Sequence, residues 1–171
     1  MQTKCGGVIM VNLTTKERIL LEDEKSHETL CVSKYKDYSQ KANCPQLRNL
    51  FSTLAQEEQH HLDSINQILK GIVPAVNQGS GQQQGSQNSQ MNMSSSMTNL
   101  NFNTQSTYDE NDKMLCQDSL STEKYVSSTY NSTIFEFKDT NIRQVLNHIQ
   151  KEEQEHGEKI YNYMNQHNMY N

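Results

Sequence analysis

From Leu13 onward the apolar residues recur every three or four positions, in blocks separated by polar punctuation. Residues 14–41 contain neither Pro nor Gly, and Thr14 with Glu17 has the spacing of a capping box. One face of this segment carries Leu21, Glu24, Glu28, Cys31 and Tyr35. Asn43, Cys44 and Pro45 interrupt it, and Pro45 suits the first turn of a second helix. That helix runs over 45–70 to Gly71, a normal stop. Its stripe is Leu47, Leu50, Leu54, Ile65 and Ile68. Residues 109–137 read as a third helix. Asp139 can cap a fourth, with a stripe at Ile142, Leu146, Ile149, Ile160 and Tyr163. Four amphipathic helices in two short-looped hairpins predict an all-α protein, a four-helix bundle.

The halves repeat. Shifted by 95 residues they align without a gap: Tyr35 meets Tyr130, Arg48 meets Arg143, and Leu47, Leu50, Phe51 and Leu54 meet Ile142, Val145, Leu146 and Ile149. Glu57-Glu58-Gln59 meets Glu152-Glu153-Gln154, His61 meets His156, and Ile65 meets Ile160. The hairpins read as copies of one unit related by a pseudo-twofold axis. The domain reading is a tail over 1–12, hairpin 1 over 13–71, a linker over 72–108 and hairpin 2 over 109–171, the hairpins forming one bundle. The linker is rich in Gln, Asn, Ser and Gly and cannot build a core, so it reads as a flexible crossover. A 26-residue helix is about 39 Å long, well within its reach.

Composition narrows the classes of function. The 171-residue chain is 33% hydrophobic with a formal net charge of −5, and its mean hydropathy is −0.89. The acidic balance argues against a nucleic-acid binder. No apolar run approaches the roughly 18 residues of a membrane span, and no signal peptide is expected, because Gly6 to Val11 is too short for its apolar core. Cys5, Cys31, Cys44 and Cys116 form no Cys-x-x-Cys pair, which argues against zinc-ribbon, rubredoxin and thioredoxin-type sites.

Two positions interrupt each inner stripe of the second and fourth helices. Glu58 with His61, and Glu153 with His156, stand at i, i+3 on the core-facing side, where unpaired polar groups are costly. Glu28 and Glu123 take matching places on the first and third helices, each 30 residues before its partner glutamate. Alone, the run EEQHH is more often a surface patch than a ligand set. Two matched pairs and two matched glutamates, all in register with core stripes, point to a buried metal site, the alternative being an inherited site that no longer holds metal and whose polar groups are satisfied by water or one another. Four carboxylates repel in an apolar core, and two divalent cations would cancel their charge. The outer nitrogen of each histidine then needs an acceptor; Glu152 suits His61 and Glu57 suits His156. Glu24, His27, His60 and Glu155 have no counterpart in the other half and read as boundary or surface residues, with Glu24 a conceivable extra carboxylate. Tyr35 and Tyr130 read as core aromatics, a redox role being the lesser option. Cys31 reads as a small buried residue.

Glu28, Glu58-x-x-His61, Glu123 and Glu153-x-x-His156 resemble the ligand set of ferritin-like, rubrerythrin-type bundles. That resemblance implies two iron or manganese ions, with Glu58 and Glu153 bridging, Glu28 and Glu123 terminal, and one histidine per ion. A second resemblance rests on NDKMLCQDSLSTEKYVSSTYN followed by NIRQVLNHIQKEEQEHGEKIYNYM, echoed by LEDEKSHETLCVSKY and PQLRNLFSTLAQEEQHH. These are similar to the CotF-type spore coat proteins, themselves ferritin-like. It implies synthesis in the mother-cell cytoplasm, deposition on the spore coat and other coat proteins as partners; an intact ligand set departs from many such proteins. Three functions follow as expectations. The first is a coat protein with a metal-binding core. The second is a rubrerythrin-like peroxidase or a manganese-catalase-like enzyme acting on hydrogen peroxide. The third is metal storage, which needs a cage assembly. A homo-oligomer is compatible with each of them.

Overall fold

The computed structural model describes residues 3–5, 8–75 and 108–170. Four helices dominate it: α1 (Thr15–Lys41), α2 (Pro45–Leu69), α3 (Glu110–Glu136) and α4 (Thr140–Gln166). Each begins where the sequence signals it. Thr14 and Glu17 form the full capping box, Pro45 occupies the first turn of α2, and the Asp109 and Asp139 side chains accept from the first backbone amides of α3 and α4. Helix α2 ends at Gly71, whose φ of 81° suits a residue without a Cβ. Two strands, β1 (Thr3–Cys5) and β2 (Val8–Met10), pair antiparallel within the segment read as an N-terminal tail. Just beyond them, the Val11 amide donates to the Gly71 carbonyl (2.9 Å) and so joins the start of hairpin 1 to its end. Most of the linker, residues 76–107, lies outside the described residues.

Helix α1 packs on α2 and α3, and α4 packs on α3 and α2, so the four helices form a ring. Contacts between α1 and α3 run in opposite directions: Glu24 meets Thr133, whereas Tyr35, further along α1, meets Glu123. The two helices are therefore antiparallel. The apolar stripes interdigitate inside the ring. Leu21, Tyr35, Leu47, Phe51, Leu54, Ile65, Tyr130, Leu146 and Ile160 are wholly buried, each worth about 1.5–3 kcal/mol of transfer free energy. Leu50 is only half-buried, at the edge of the core.

Two acidic side chains tie the hairpins together. Glu17 at the start of α1 accepts from the Lys138 amide (3.1 Å) in the α3–α4 loop. Its counterpart Asp112 at the start of α3 accepts from the Asn43 and Cys44 amides (2.7 and 2.8 Å) in the α1–α2 loop. Burial alone would raise the Glu17 carboxyl; the Thr14 and Lys138 amides outweigh it and hold the group below its ordinary value. Arg48 and Arg143 finish the same design, each donating to carbonyls at the end of the preceding helix, Ala42 for Arg48 and Phe137 for Arg143.

Candidate metal centre

At mid-height the ring is polar. Glu28 from α1, Glu58 and His61 from α2, Glu123 from α3, and Glu153 and His156 from α4 are all buried, none more than 2% exposed. Helical spacing puts each there: Glu58 lies one turn beyond Leu54, and His61 one turn before Ile65, on the stripe that faces inward. The same register holds around Glu153 and His156 between Ile149 and Ile160.

The six side chains form two overlapping groups of four. Glu28, Glu58, His61 and Glu153 bring one ligand atom each to within 4.8 Å of one another, and so do Glu58, Glu123, Glu153 and His156. Glu58 and Glu153 belong to both. All six positions singled out from the sequence thus converge, and the two shared glutamates are the pair expected to bridge. The imidazoles stack across the pseudo-twofold axis with centroids 5.4 Å apart. Nδ1 of His61 faces Glu153 (2.9 Å), and Nδ1 of His156 faces Glu58 (3.0 Å).

The outer nitrogens have the acceptors that the sequence suggested. Nε2 of His61 lies 3.0 Å from Glu152, and Nε2 of His156 lies 3.0 Å from Glu57, which also receives Lys159 (2.6 Å). Each acceptor comes from the opposite hairpin. His156 and Lys159 outweigh partial burial and hold the Glu57 carboxyl at about 2.

The tyrosines do more than fill the core. The Tyr35 hydroxyl donates to Glu123, and the Tyr130 hydroxyl donates to Glu28, so each terminal carboxylate is fixed by a phenol from the other hairpin. Reading them as core aromatics missed this. The signal was available, because a buried phenol needs a partner and both tyrosines sit seven residues after a buried glutamate. Glu24 also differs from its boundary assignment. It is 1% exposed and accepts from Thr133 (2.6 Å) and Thr129 (2.9 Å), with His27 at 3.3 Å. These hydroxyls on α3 make its burial tolerable, and nothing on α1 alone foretells them. His60 is exposed, and Glu155 pairs with Lys151 at the surface.

Without cations the centre balances its charge with protons. Burial, reinforced by the charge on Glu153, pushes Glu28 up to about 8 despite the opposing pull of His61. Burial and Glu153 likewise drive Glu123 well above the usual carboxyl range. Burial disfavours charge on both imidazoles, yet their carboxylate neighbours win: His61 is raised well above its ordinary value, and His156 to about 9. Burial also opposes ionisation of Glu58, but hydrogen bonds from His156 and His61 hold it near 2. Cys31 lies in the same field, and burial together with the Glu58 and Glu153 charges pushes its thiol far up.

This proton balance leaves polar atoms stranded. Among the described residues, Oε2 of Glu28, Glu58 and Glu123, both carboxylate oxygens of Glu153, Nδ1 of His61 and the Ser119 hydroxyl are buried without an aligned hydrogen bond, although Nδ1 of His61 lies 2.9 Å from a Glu153 oxygen. All but Ser119 lie in the two groups of four. Orphaned polar atoms are costly and rare in folded proteins; concentrated on carboxylate oxygens and an imidazole nitrogen, they fit a cation that supplies the missing partner. A groove of about 710 Å³ between α3 and α4 has Glu123 and Glu153 in its lining, with Oε2 of Glu123 and both Glu153 carboxylate oxygens themselves buried.

The fold and the cluster define a class: an all-α four-helix bundle built from two like hairpins, with a buried carboxylate–histidine cluster able to hold metal. Residues 111–171 match the family model of the Coat F domain. The second hairpin is thus similar to the Coat F domain, while the first hairpin, its structural counterpart, lies outside the matched residues. Neither a curated protein nor a solved structure matches the chain. Among the described residues, no helix is long and apolar enough to cross a membrane.

Proposed function

We propose that this chain is a spore coat protein whose bundle holds two divalent transition-metal ions, iron or manganese, on Glu28, Glu58, His61, Glu123, Glu153 and His156. The Coat F domain supports the coat role, with synthesis in the mother cell, deposition on the spore and other coat proteins as partners. The observation that carries the metal reading is the set of stranded ligand atoms shared by two overlapping donor groups. Nδ1 of each histidine turns inward while Nε2 is held by Glu152 or Glu57, the orientation a metal-ligating imidazole needs. Tyr35 and Tyr130 hold the Glu123 and Glu28 carboxylates in place. Metal analysis of protein made in cells supplied with iron and manganese tests the reading. About two ions per chain supports it; a well-folded sample with metal near zero overturns it.

A second reading, consumption of hydrogen peroxide, is favoured by the groove that has Glu123 and Glu153 in its lining. A redox-active metal pair would supply the electrons for cleaving an oxygen–oxygen bond. The sequence has no Cys-x-x-Cys knuckle to deliver electrons, so a peroxidase would draw on an external reductant, whereas disproportionation would not. Peroxide loss in the presence of loaded protein, and none with the metal-free form, would favour the enzyme over a purely structural centre.

A further inference from the structure

The two hairpins place the same six side chains around the centre and differ in how they wall it off. Between α3 and α4 the groove is lined by Ser127, Gln150 and Gly157, by the exposed Lys124 and Glu158, and on its buried side by Glu123 and Glu153. The corresponding residues of the first hairpin are Val32, Ala55 and Leu62, with Asp63 in the place of Glu158. Val32 and Ala55 are buried and Leu62 is half-buried. The cavity recorded on the α1–α2 side, about 350 Å³ and lined by Ala55, Gln56 and Gln59, touches none of the six cluster residues. Where one hairpin fills the approach with aliphatic carbon, the other offers a bare backbone position, a hydroxyl and an amide.

We propose that this groove is the entrance by which divalent cations reach the cluster, and that Gly157, standing where the first hairpin has Leu62, keeps it open. The proposal rests on the metal-centre reading. A hydrated cation needs a path lined by groups that can replace water step by step. The exposed Glu158, the half-buried Ser127 and Gln150, and the buried Glu123 and Glu153 form such a series, its last step requiring the buried carboxylates to turn toward the groove. Gly157 has no side chain to stand in that path. A Cβ added there would meet Leu120 Cδ1 at 3.7 Å and Glu123 Cβ at 3.8 Å, ordinary van der Waals contact, so alanine fits. A leucine side chain would extend from the same point into the groove. Glycine inside a helix is less favourable than alanine, so an interior glycine on α4 is explained by the space it leaves rather than by helix formation.

The test uses cobalt(II) with the full chain, following its visible absorption during loading and during removal by excess EDTA. The series Gly157, Gly157→Ala and Gly157→Leu should load and release cobalt progressively more slowly while reaching the same two-ion end point. Ser127→Val, which copies Val32, should slow both steps as well and serves if the leucine variant fails to fold. Unchanged rates in a folded Gly157→Leu or Ser127→Val protein that still takes up two ions would refute the entrance and leave the metal centre standing. A wild-type chain that binds no cobalt would refute both.

Discussion

In the first hairpin Glu24 lies one turn before Glu28, buried and held by Thr129 and Thr133 of the opposite helix. The same position of the second hairpin is Ser119, whose buried hydroxyl has no partner among the described residues. Around them the pattern repeats: Val32 against Ser127, Leu62 against Gly157, Lys34 against Thr129. The residues of the cluster, by contrast, are the same type in both halves at all six positions, and so are the tyrosines and the glutamates that orient the imidazoles. The two hairpins thus differ around their centre and agree within it. The cluster, its tyrosines and its outer glutamates take partners from the other half, whereas Val32 against Ser127 and Leu62 against Gly157 set how each approach is lined.

The most severe way to break the symmetry is to remove what both halves share. Glu58→Gln with Glu153→Gln should abolish metal uptake at both sites, since each carboxylate belongs to both donor groups; metal analysis of the folded double variant checks it, and two retained ions would contradict the shared role. Glu28→Gln and Glu123→Gln each touch one group only. Each should leave about one ion per chain, and loss of both ions from either single variant would show that the sites fill only together. Glu57→Gln or Glu152→Gln should weaken metal affinity by about 10–100-fold, because the imidazole on the opposite hairpin loses its acceptor; competition with a chelator of known strength reads this directly.

Acidity separates the metal-free and loaded forms. His156, raised to about 9, and Glu28, raised to about 8, both bind their protons more tightly folded than unfolded. The stability they contribute is present at low pH and is lost as pH rises through those values. The metal-free protein should therefore become easier to denature with urea between about pH 6 and pH 9. Metal affinity should move the other way and strengthen over the same range, because a cation must displace those protons. Metal affinity that held constant with pH would contradict the protonated cluster. The smallest effects concern the loops. Asp112→Asn should cost about 1–3 kcal/mol, because Asp112 is buried and accepts two backbone amides. Glu17→Gln, which gives up one amide across the hairpins, should cost less; urea midpoints of the two variants rank them.

The helices and the cluster were legible from sequence because their signals are local or repeated. Thr14 with Glu17, Pro45, Gly71 and Asp139 mark helix ends within a few residues, and the 95-residue repeat picked out Glu28, Glu58, His61, Glu123, Glu153 and His156 together. What escaped depends on how one hairpin lies against the other. Tyr35 reaches Glu123 and Tyr130 reaches Glu28 only because α1 and α3 are antiparallel in that register. Glu24 becomes a buried residue only through Thr129 and Thr133. The four buried carboxylates read from sequence as repulsion that two cations would cancel, whereas the upward shifts of Glu28, Glu123 and His61 point to protons as a second means of relief. Gly157 opposite Leu62 was visible in the alignment, but it acquires meaning only once a groove is seen beside it.

The contacts around the centre pass from one hairpin to the other and are returned in kind: Tyr35 to Glu123 and Tyr130 to Glu28, His61 to Glu152 and His156 to Glu57. That reciprocity is the geometry of an isologous interface, here folded into a single polypeptide. A lone hairpin of this design would be half a vessel, needing an identical companion to close it. Joining the two in one chain released each from the obligation to be identical, and the groove beside Gly157 is what that freedom permits.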